Sequence, residues 1–283
     1  MVMNSSLMFR LDPEHLNNLA IKYRESYSQA QPFSHIIIDN FLPVFVLENI
    51  LSEFPEVRAI DWQKFDAPAE KKLASKDELQ MGDATRLLLY QLNSSVFIKF
   101  LENLTGIDGI IPDPHFEGGG LHQIERGGYL KMHVDFNRHS KLRLERRINI
   151  IVYLNKDWKE EYGGHLEFWD KDMTRCEKKI LPIFNRCVIF NTTEYSYHGH
   201  PDPLTCPEGQ TRKSLALYYY SNERPHEESS NVHSSLFQAR AGEKIGQKKP
   251  SGVAVKAVLK KLLPPILIDA RNYLGNVQQF KKR

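Results

Sequence analysis

The chain of 283 residues is 41% hydrophobic and 11% aromatic, which is enough material for one large domain or two small ones. It has no apolar run near the roughly 20 residues of a membrane-spanning helix, no secretory signal at its start and only three cysteines, so we expect a cytoplasmic protein without a disulfide framework. The net charge of +3 is uneven, because residues 223–283 carry twelve Lys and Arg against five Asp and Glu. The rest of the chain is net acidic, which argues against a nucleic-acid substrate.

The N-terminal part of the chain, residues 1–115, is predicted to be a helical or mixed support region. Residues 33–43 have the pattern of a short buried strand followed by a turn. Apolar residues recur at steps of three and four in Val44–Phe54 and again in Leu87–Leu104. This period predicts an amphipathic helix in each of the two segments.

The central part, residues 116–224, has the pattern of an antiparallel β domain. Short runs rich in β-branched and aromatic residues follow one another, separated by Gly, Asn and Asp. These runs are Tyr129–Val134, Ile148–Leu154, His165–Trp169, Lys179–Ile183, Cys187–Phe190 and Ser214–Tyr220. Their succession predicts a mainly β sandwich or barrel. The run from Ile148 to Leu154 is almost continuously apolar, so we expect both of its faces to be covered.

The C-terminal part, residues 225–283, is predicted to be a basic, partly helical extension. It turns polar after Pro225 and then basic, and Val253–Leu263 has the spacing of a basic amphipathic helix that Pro264 must end or kink. Two interpretations remain open. The helix packs on the body of the protein, or it contacts a membrane surface or another anionic partner.

A His-x-acid pair on a strand can hold one face of a metal ion, because side chains two residues apart point to the same side. The chain has five such pairs, so most of them must serve other purposes. They are His115-Phe-Glu117, His133-Val-Asp135, His165-Leu-Glu167, His200-Pro-Asp202 and His226-Glu-Glu228. The pair at 165 is the strongest competitor of the pair at 133, since it lies in a predicted strand after two glycines.

The pair His133 and Asp135 has the most favourable context, since it closes a predicted strand and a loop rich in Asn and Arg follows it. A distant His would complete a 2-His-1-carboxylate triad, which binds Fe(II) and leaves positions open for a co-substrate and O2. His198 and His200, which follow the next buried run, are the two candidates for that third ligand.

Arg212 opens the last predicted strand and shares a strand face with the small residues Ser214 and Ala216. Small neighbours leave room beside the guanidinium for a carboxylate, which a planar fork of N–H donors binds well. Arg212 and Ser214 are therefore predicted to hold the carboxylate of a co-substrate.

From Gly127 to Arg224 the chain resembles the catalytic domain of the prolyl 4-hydroxylase-like branch of the Fe(II)/2-oxoglutarate-dependent oxygenases, and within it the prolyl-hydroxylase-domain oxygen sensors. The matching pieces are Gly128-Tyr-Leu-Lys-Met-His-Val-Asp135, Tyr153-Leu-Asn-Lys-Asp-Trp158, Gly163-Gly-His-Leu166, Val188-Ile-Phe190, His198 and Arg212 before Tyr218-Tyr-Tyr220. The resemblance implies a double-stranded β-helix, a jelly-roll of the cupin-like kind. In that family the distal His follows the buried Ile-Phe step by eight residues, which here selects His198 over His200.

The resemblance also implies cofactors and a further binding residue. It implies Fe(II) on His133, Asp135 and His198, with 2-oxoglutarate and O2 as co-substrates and ascorbate as an expected reductant. It adds Tyr153 as a hydrogen-bond donor to the 2-oxoglutarate tail. The chain departs from the family pattern in two places: Gln123 stands where a Tyr is common, and the Pro201–Gln210 loop is an insertion that we expect at the mouth of the site.

Three functions follow as hypotheses. The first is hydroxylation of an aliphatic C–H bond in a prolyl or other side chain of a protein or peptide, with release of succinate and CO2. The second is the same chemistry on a small molecule such as an amino acid, lipid or sugar unit. The third is a non-catalytic β-barrel that binds a metal or ligand, against which the complete set of predicted site residues speaks.

A basic rim is predicted beside the iron cleft, and it would steer an anionic substrate or an acidic peptide toward the metal. The segment from residue 137 to residue 147 supplies it, with one acid among its basic residues. These are Arg138, His139, Lys141, Arg143, Arg146 and Arg147.

Overall fold

The computed structural model describes residues 9–225, 228 and 230–246 of the chain. The predicted amphipathic helix at Val253–Leu263, and with it most of the basic extension, lies outside these described residues. Among the described residues, no helix combines the length and the apolar character needed to cross a membrane.

The N-terminal region supplies the α-helices of the described residues. They are α1 (Pro13–Ser28), α2 (Val44–Glu53), α3 (Asp83–Leu92) and α4 (Ser95–Thr105). The chain enters α1 through Asp12, whose side chain accepts a hydrogen bond from the backbone N–H of Glu14, and a proline follows this N-cap. The single helix predicted at Leu87–Leu104 is divided, because the chain leaves α3 at Asn93 and re-enters a helix after Ser94.

The strands form one curled antiparallel sheet. They are β1 (His35–Asp39), β2 (Gln63–Ala67), β3 (Glu70–Ala74), β4 (Ile111–Pro112), β5 (Gly120–Ile124), β6 (Tyr129–Val134), β7 (Glu145–Tyr153), β8 (Leu166–Trp169), β9 (Cys176–Ile180), β10 (Arg186–Asn191), β11 (His198–His200), β12 (Arg212–Ser221) and β13 (Leu236–Phe237). Their main order is β1-β10-β7-β12-β5-β3-β6-β11-β8-β9, with β2 beside β3, β4 beside β12 and β13 beside β6. The sheet thus also takes in strands from the N-terminal region and one from beyond residue 225.

The largest hydrophobic cluster joins the helices to the outer face of the sheet. Leu16 of α1, Leu47 of α2 and Leu101 of α4 belong to the same buried cluster as Ile150 of β7 and Leu217 of β12. Strand β7 lies between β10 and β12, and most of its residues are buried, as its apolar run predicted. The prediction of a mainly β fold with N-terminal supporting helices is confirmed.

A smaller cluster fills part of the inside of the curl. Phe168 of β8 and Phe190 of β10 pack with ring centroids 5.1 Å apart, and Tyr153 of β7 and Val188 belong to the same buried group. The Phe190 ring also meets the edge of the His198 ring, with centroids 4.8 Å apart. The His198 ring therefore packs against this apolar cluster.

Candidate metal centre

Three predicted ligands meet where β6 and β11 run side by side. His133 lies near the end of β6, Asp135 follows that strand, and His198 opens β11 directly opposite His133. One ligand atom from each of the three lies within 4.8 Å of the others, and both histidines are buried. Among the described residues this is the one group of three or more His, Cys, Asp or Glu residues that could hold a metal ion.

The hydrogen bonds of the two imidazoles suit metal binding. The Nδ1 atom of His133 lies 2.9 Å from the carbonyl of Lys131, and that of His198 lies 2.8 Å from the carbonyl of Ser196. A protonated Nδ1 donates to the carbonyl and leaves the lone pair of Nε2 free, which is the usual arrangement of a metal-bound histidine. The Nε2 atoms face the Asp135 carboxylate at 3.5 and 3.3 Å. Two nitrogens and one carboxylate oxygen form the donor set of a 2-His-1-carboxylate iron site.

The protonation states fit the same purpose. Burial, and then the neighbouring His198, lower the pKa of His133 and favour its neutral form. Burial opposes the ionisation of Asp135, yet the Arg146 guanidinium and the two imidazoles hold its pKa well below the usual range. Metal ligands must be deprotonated, so the site is prepared for a cation.

Gly199 explains how His198 comes so close to β6. A Cβ atom at this position would lie 2.7 Å from the carbonyl oxygen of Leu130 and 2.9 Å from that of Lys131. Real side chains essentially never make such contacts, so only glycine lets β11 approach the β6 backbone here. The pairing of β11 with β6 also changes register between His198 and His200, the residues on either side of this glycine.

The competing residues have other surroundings. His200 is 3% exposed, stands outside the three-residue group, and neither of its ring nitrogens has a hydrogen-bond partner among the described residues. His165 contacts Glu160 at 2.8 Å, and Glu167 accepts a hydrogen bond from Trp169, also at 2.8 Å. The structure therefore brings His198, and neither of these alternatives, to His133 and Asp135.

The three candidate ligands line a cavity, and Arg212 lines the same cavity. Its Nε donates to the carbonyl of Gly164 at 2.8 Å, and its NH2 group lies 3.2 Å from the hydroxyl of Tyr153. The side chain is 5% exposed, and within the described part of the chain no carboxylate lies at ion-pair distance from it. Ser214 is paired with Tyr153 across β7 and β12 and with His122 across β5 and β12. A buried guanidinium whose partners are all neutral is suited to bind the carboxylate of a ligand, because a buried charge is costly without a charged partner.

Asp135 is held in place by Arg146, which the sequence analysis assigned to the basic rim, and by Asn149, which it did not single out. The fully buried Arg146 stacks between Phe136 and Tyr218, at 4.3 and 3.5 Å from the ring centres, and its NH2 group lies 3.0 Å from Asp135 Oδ2. Asn149 donates from Nδ2 to the same oxygen at 2.6 Å. The signal was visible in β7, where Asn149 interrupts an apolar run that is otherwise covered on both faces.

Further polar residues line the cavity from outside the predicted set. Lys72 of β3, His122 of β5 and His200 of β11 share it with the three candidate ligands, Arg212 and Ser214. Lys72 has a weak partner in Glu70, at 3.5 Å. Burial and the nearby Lys72 lower the pKa of His122 to about 3. Lys72 belongs to no recognisable sequence motif, and only the pairing of β3 with β5 and β6 brings it to the cavity.

The prediction of an exposed basic rim is wrong for three of its six residues, because these three are buried. Arg146 is fully buried against Asp135, Arg147 is 8% exposed and pairs with Glu228, and His139 is buried between Asp113 and Glu117. The other three, which remain exposed, are Arg138, Lys141 and Arg143. Strand pairing and the loop anchored at His139 draw the buried three inward.

The insertion at 201–210 also differs from its predicted place. Leu204 and Cys206 are buried with Ile124 and Trp158, and the backbone of Leu204 pairs with Gly127 and Gly128 at the β5–β6 turn. None of its residues is among those that line the cavity. The apolar side chains fold the loop onto the body of the protein instead of leaving it at the mouth.

Comparison with known proteins shows a resemblance over part of the chain. Residues 119–220 match the family model of the 2OG-Fe(II) oxygenase superfamily. A mouse protein named prolyl 3-hydroxylase OGFOD1 is 30% identical over 79 residues, which are 26% of this chain and 14% of that protein. The chain thus spans only a small part of the length of this curated relative.

Solved structures show the same fold. A prolyl-4-hydroxylase from Pseudomonas putida superposes with a TM-score of 0.52 and 15% identity, over 74% of this chain and 100% of that chain. A prolyl hydroxylase from Trichoplax adhaerens, solved with a hypoxia inducible factor peptide fragment, gives a TM-score of 0.50 and 18% identity over 74% and 91%. A prolyl 4-hydroxylase from Phytophthora capsici gives 0.51 and 17% over 80% and 71%. The predicted double-stranded β-helix is confirmed.

Proposed function

We propose that this chain, whose residues 119–220 match the family model of the 2OG-Fe(II) oxygenase superfamily, is a dioxygenase that hydroxylates an aliphatic C–H bond. The superfamily uses Fe(II), with 2-oxoglutarate and O2 as co-substrates. We assign the iron to His133, Asp135 and His198. The observation that carries this assignment is the convergence of their three ligand atoms within 4.8 Å, with both Nε2 atoms turned toward the carboxylate.

We assign the distal carboxylate of 2-oxoglutarate to Arg212, which lines the same cavity as the candidate ligands. Arg212 offers a buried guanidinium without an ion-pair partner in the described chain, and Tyr153 places its hydroxyl beside that group at 3.2 Å. Ser214 adds a hydroxyl from the same wall of the cavity. A carboxylate bound there gains charge-assisted hydrogen bonds in a site that excludes most water.

The protein's own residues prepare the metal site for this chemistry. When bound, iron and 2-oxoglutarate supply the activation of O2 that a C–H bond requires. Arg146 and Asn149 keep Asp135 ionised and oriented, and the two backbone carbonyls orient the imidazoles. The buried surroundings limit the access of water to the reacting groups. Ascorbate stays an expectation for the reductant.

For the substrate we propose a prolyl side chain, or another side chain, of a protein or peptide, with succinate and CO2 as by-products. Support comes from the relatives whose names state prolyl hydroxylation, including one solved with a bound peptide fragment. A small anionic molecule is the second candidate, favoured by Lys72, a cation in the cavity beyond the one assigned to 2-oxoglutarate.

The deciding experiment measures 2-oxoglutarate decarboxylation with a panel of proline-containing peptides and a panel of small anionic metabolites. Stimulation by peptides alone, with a mass gain of one oxygen on the peptide, would support the protein hydroxylase. Stimulation by metabolites alone would replace it with the second candidate. A protein that binds neither iron nor 2-oxoglutarate would contradict the oxygenase itself.

A further inference from the structure

A segment beyond the matched family region lies against the candidate metal centre. We call residues 230–243 the C-terminal strap. Its strand β13 pairs with β6 so that Phe237 stands opposite His133, and the Gln238 N–H donates to the carbonyl of Met132 at 2.9 Å. The Phe237 ring lies 5.4 Å from the His133 ring, centre to centre. One face of the candidate ligand His133 therefore rests on the strap.

The first part of the strap is fastened to the loop that follows Asp135. The Asn137 amide nitrogen donates to Ser230 Oγ and to the carbonyl of Asn231, both at 2.9 Å, and its oxygen accepts from the His233 N–H at 3.0 Å. Asn137 is only 8% exposed, and it stands two residues after Asp135. Three hydrogen bonds on one buried side chain define this connection closely.

The same part of the strap also reaches the chain before His198. Glu194 accepts hydrogen bonds from the hydroxyl of Ser230 and from the His233 ring at 2.8 Å. Glu194 stands four residues before His198. Ser230 thus contacts both Asn137 and Glu194, and so links the approaches to two candidate ligands.

The far end of the strap makes two ion pairs on the other side of the centre. Arg240 binds both carboxylate oxygens of Asp202, at 2.6 and 3.1 Å, and Glu243 accepts from Lys131 at 2.6 Å. Lys131 also donates to the carbonyl of Pro201 at 2.9 Å. Lys131 lies two residues before His133, and Asp202 lies four residues after His198.

These contacts join strands that hold each other weakly by themselves. β6 and β11 pair only at His198 with His133 and at His200 with Leu130, and their register is irregular between the two. The strap bridges both strands on either side of the candidate ligands. Because a metal ion would pull the same two strands together, metal and strap act on one equilibrium.

We propose that docking of the C-terminal strap and metal binding are thermodynamically coupled, and that Phe237 and Asn137 are positioning residues for the metal centre. The proposal rests on the proposed function, since it takes the three assigned residues to bind a metal. Coupling is reciprocal: a docked strap raises metal affinity, and bound metal protects the strap by the same free energy.

Two measurements on the full-length chain test the coupling without relying on catalysis. Anaerobic titration with Co(II), followed by its visible absorption, gives the metal Kd. Trypsin cleavage after Arg240 and Lys244, followed by mass spectrometry of the fragments, reports release of the strap, because a protease needs an undocked segment. Saturating Co(II) is expected to slow cleavage at both sites.

The variants separate the strap from general stability. Asp202→Asn removes one of the two acidic partners of Arg240, an exposed carboxylate that is not an assigned ligand, and leaves Glu243 as the other. Phe237→Ala removes the ring that supports His133. Both are expected to weaken Co(II) binding by about tenfold, the range typical of lost supporting contacts. Phe237→Leu, which keeps apolar packing, should restore most of the affinity. The matched control is Asp39→Asn, which breaks an equally bidentate pair with Arg186 between β1 and β10.

The outcomes distinguish this inference from the proposed function. Faster cleavage in Asp202→Asn with a Co(II) Kd within twofold of the unaltered protein would overturn the coupling and leave the metal site intact. An equal loss of affinity in Asp39→Asn would assign the effect to general stability and also overturn it. Absence of Co(II) binding to the unaltered protein would overturn the assigned metal site and the coupling together.

Discussion

His133 and His198 face each other across β6 and β11 with ring centres 4.4 Å apart, and each directs Nδ1 to the backbone carbonyl two residues before it. The repeated arrangement turns both Nε2 atoms toward Asp135. A pair of histidines kept only for packing has no need of matched tautomers. The geometry therefore favours metal binding over a purely structural role.

The first prediction concerns the distal ligand. His198→Ala is expected to abolish stoichiometric binding of Co(II) or Fe(II), because a facial triad that loses a ligand loses most of its affinity. His200→Ala should still bind one equivalent, since His200 lies outside the group of candidate ligands. Anaerobic titration with circular dichroism as a folding control measures both variants. Loss of binding in His200→Ala with retention in His198→Ala would reverse the assignment.

The second prediction concerns the co-substrate. Arg212→Met should raise the KM for 2-oxoglutarate by roughly 10- to 100-fold, since it removes a charge-assisted hydrogen bond worth about 1.5–3 kcal/mol. Tyr153→Phe removes a neutral donor and should have a smaller effect, about two- to tenfold. The metal Kd of both variants should stay close to that of the unaltered protein. Equal losses of metal and 2-oxoglutarate affinity would indicate that Arg212 is structural.

The third prediction concerns the support of Asp135. Asn149→Ala removes the 2.6 Å hydrogen bond to Asp135 Oδ2 and also leaves Arg146 without a partner for its Nε. We expect metal affinity to fall by about tenfold and the free energy of unfolding to fall by about 1–3 kcal/mol. Co(II) titration and urea denaturation measure the two effects. Unchanged metal affinity in a folded variant would show that Asn149 supports only the fold.

The fourth prediction is a loss of stability in acid. The pKa values of His122, His133 and His200 are lowered in the folded protein, chiefly by burial, so the unfolded chain binds protons that the folded chain rejects. Their contribution is complete above the unfolded pKa of about 6.5 and is lost as the pH falls below it. For His122, with a folded pKa of about 3, the loss between pH 6.5 and 5 is about 2 kcal/mol.

Urea denaturation of the metal-free protein at pH 7 and pH 5 measures this loss. His122→Gln should remove one share of the pH dependence while the remaining histidines keep theirs. The exposed His15 offers a matched control, since His15→Gln removes an imidazole that is not buried. A free energy of unfolding that stays constant between pH 7 and 5, or rises in acid, would contradict the prediction.

Several features of the fold and site could be predicted because their signals are local. Strand alternation places His133 and Asp135 on one face, and the apolar run of β7 indicates a strand covered on both sides. The family resemblance supplied the double-stranded β-helix and the role of Tyr153, whereas the small residues on its strand face had already indicated the role of Arg212. In the structure the Arg212 guanidinium lies 3.2 Å from the Tyr153 hydroxyl, and Arg212 lines one cavity with the candidate ligands.

The remaining features depend on residues far apart in the chain. Alternation alone puts His198 and His200 on the same strand face, and only the register of β11 on β6, with its irregularity, sets His198 opposite His133. The run of basic residues predicted an exposed position for Arg146, whereas strand pairing buries it against Asp135. The strap contacts β6 from a distance of more than 100 residues, as in the pairing of Phe237 with His133. A sequence specifies which side chains can act, but long-range pairing decides which of them meet.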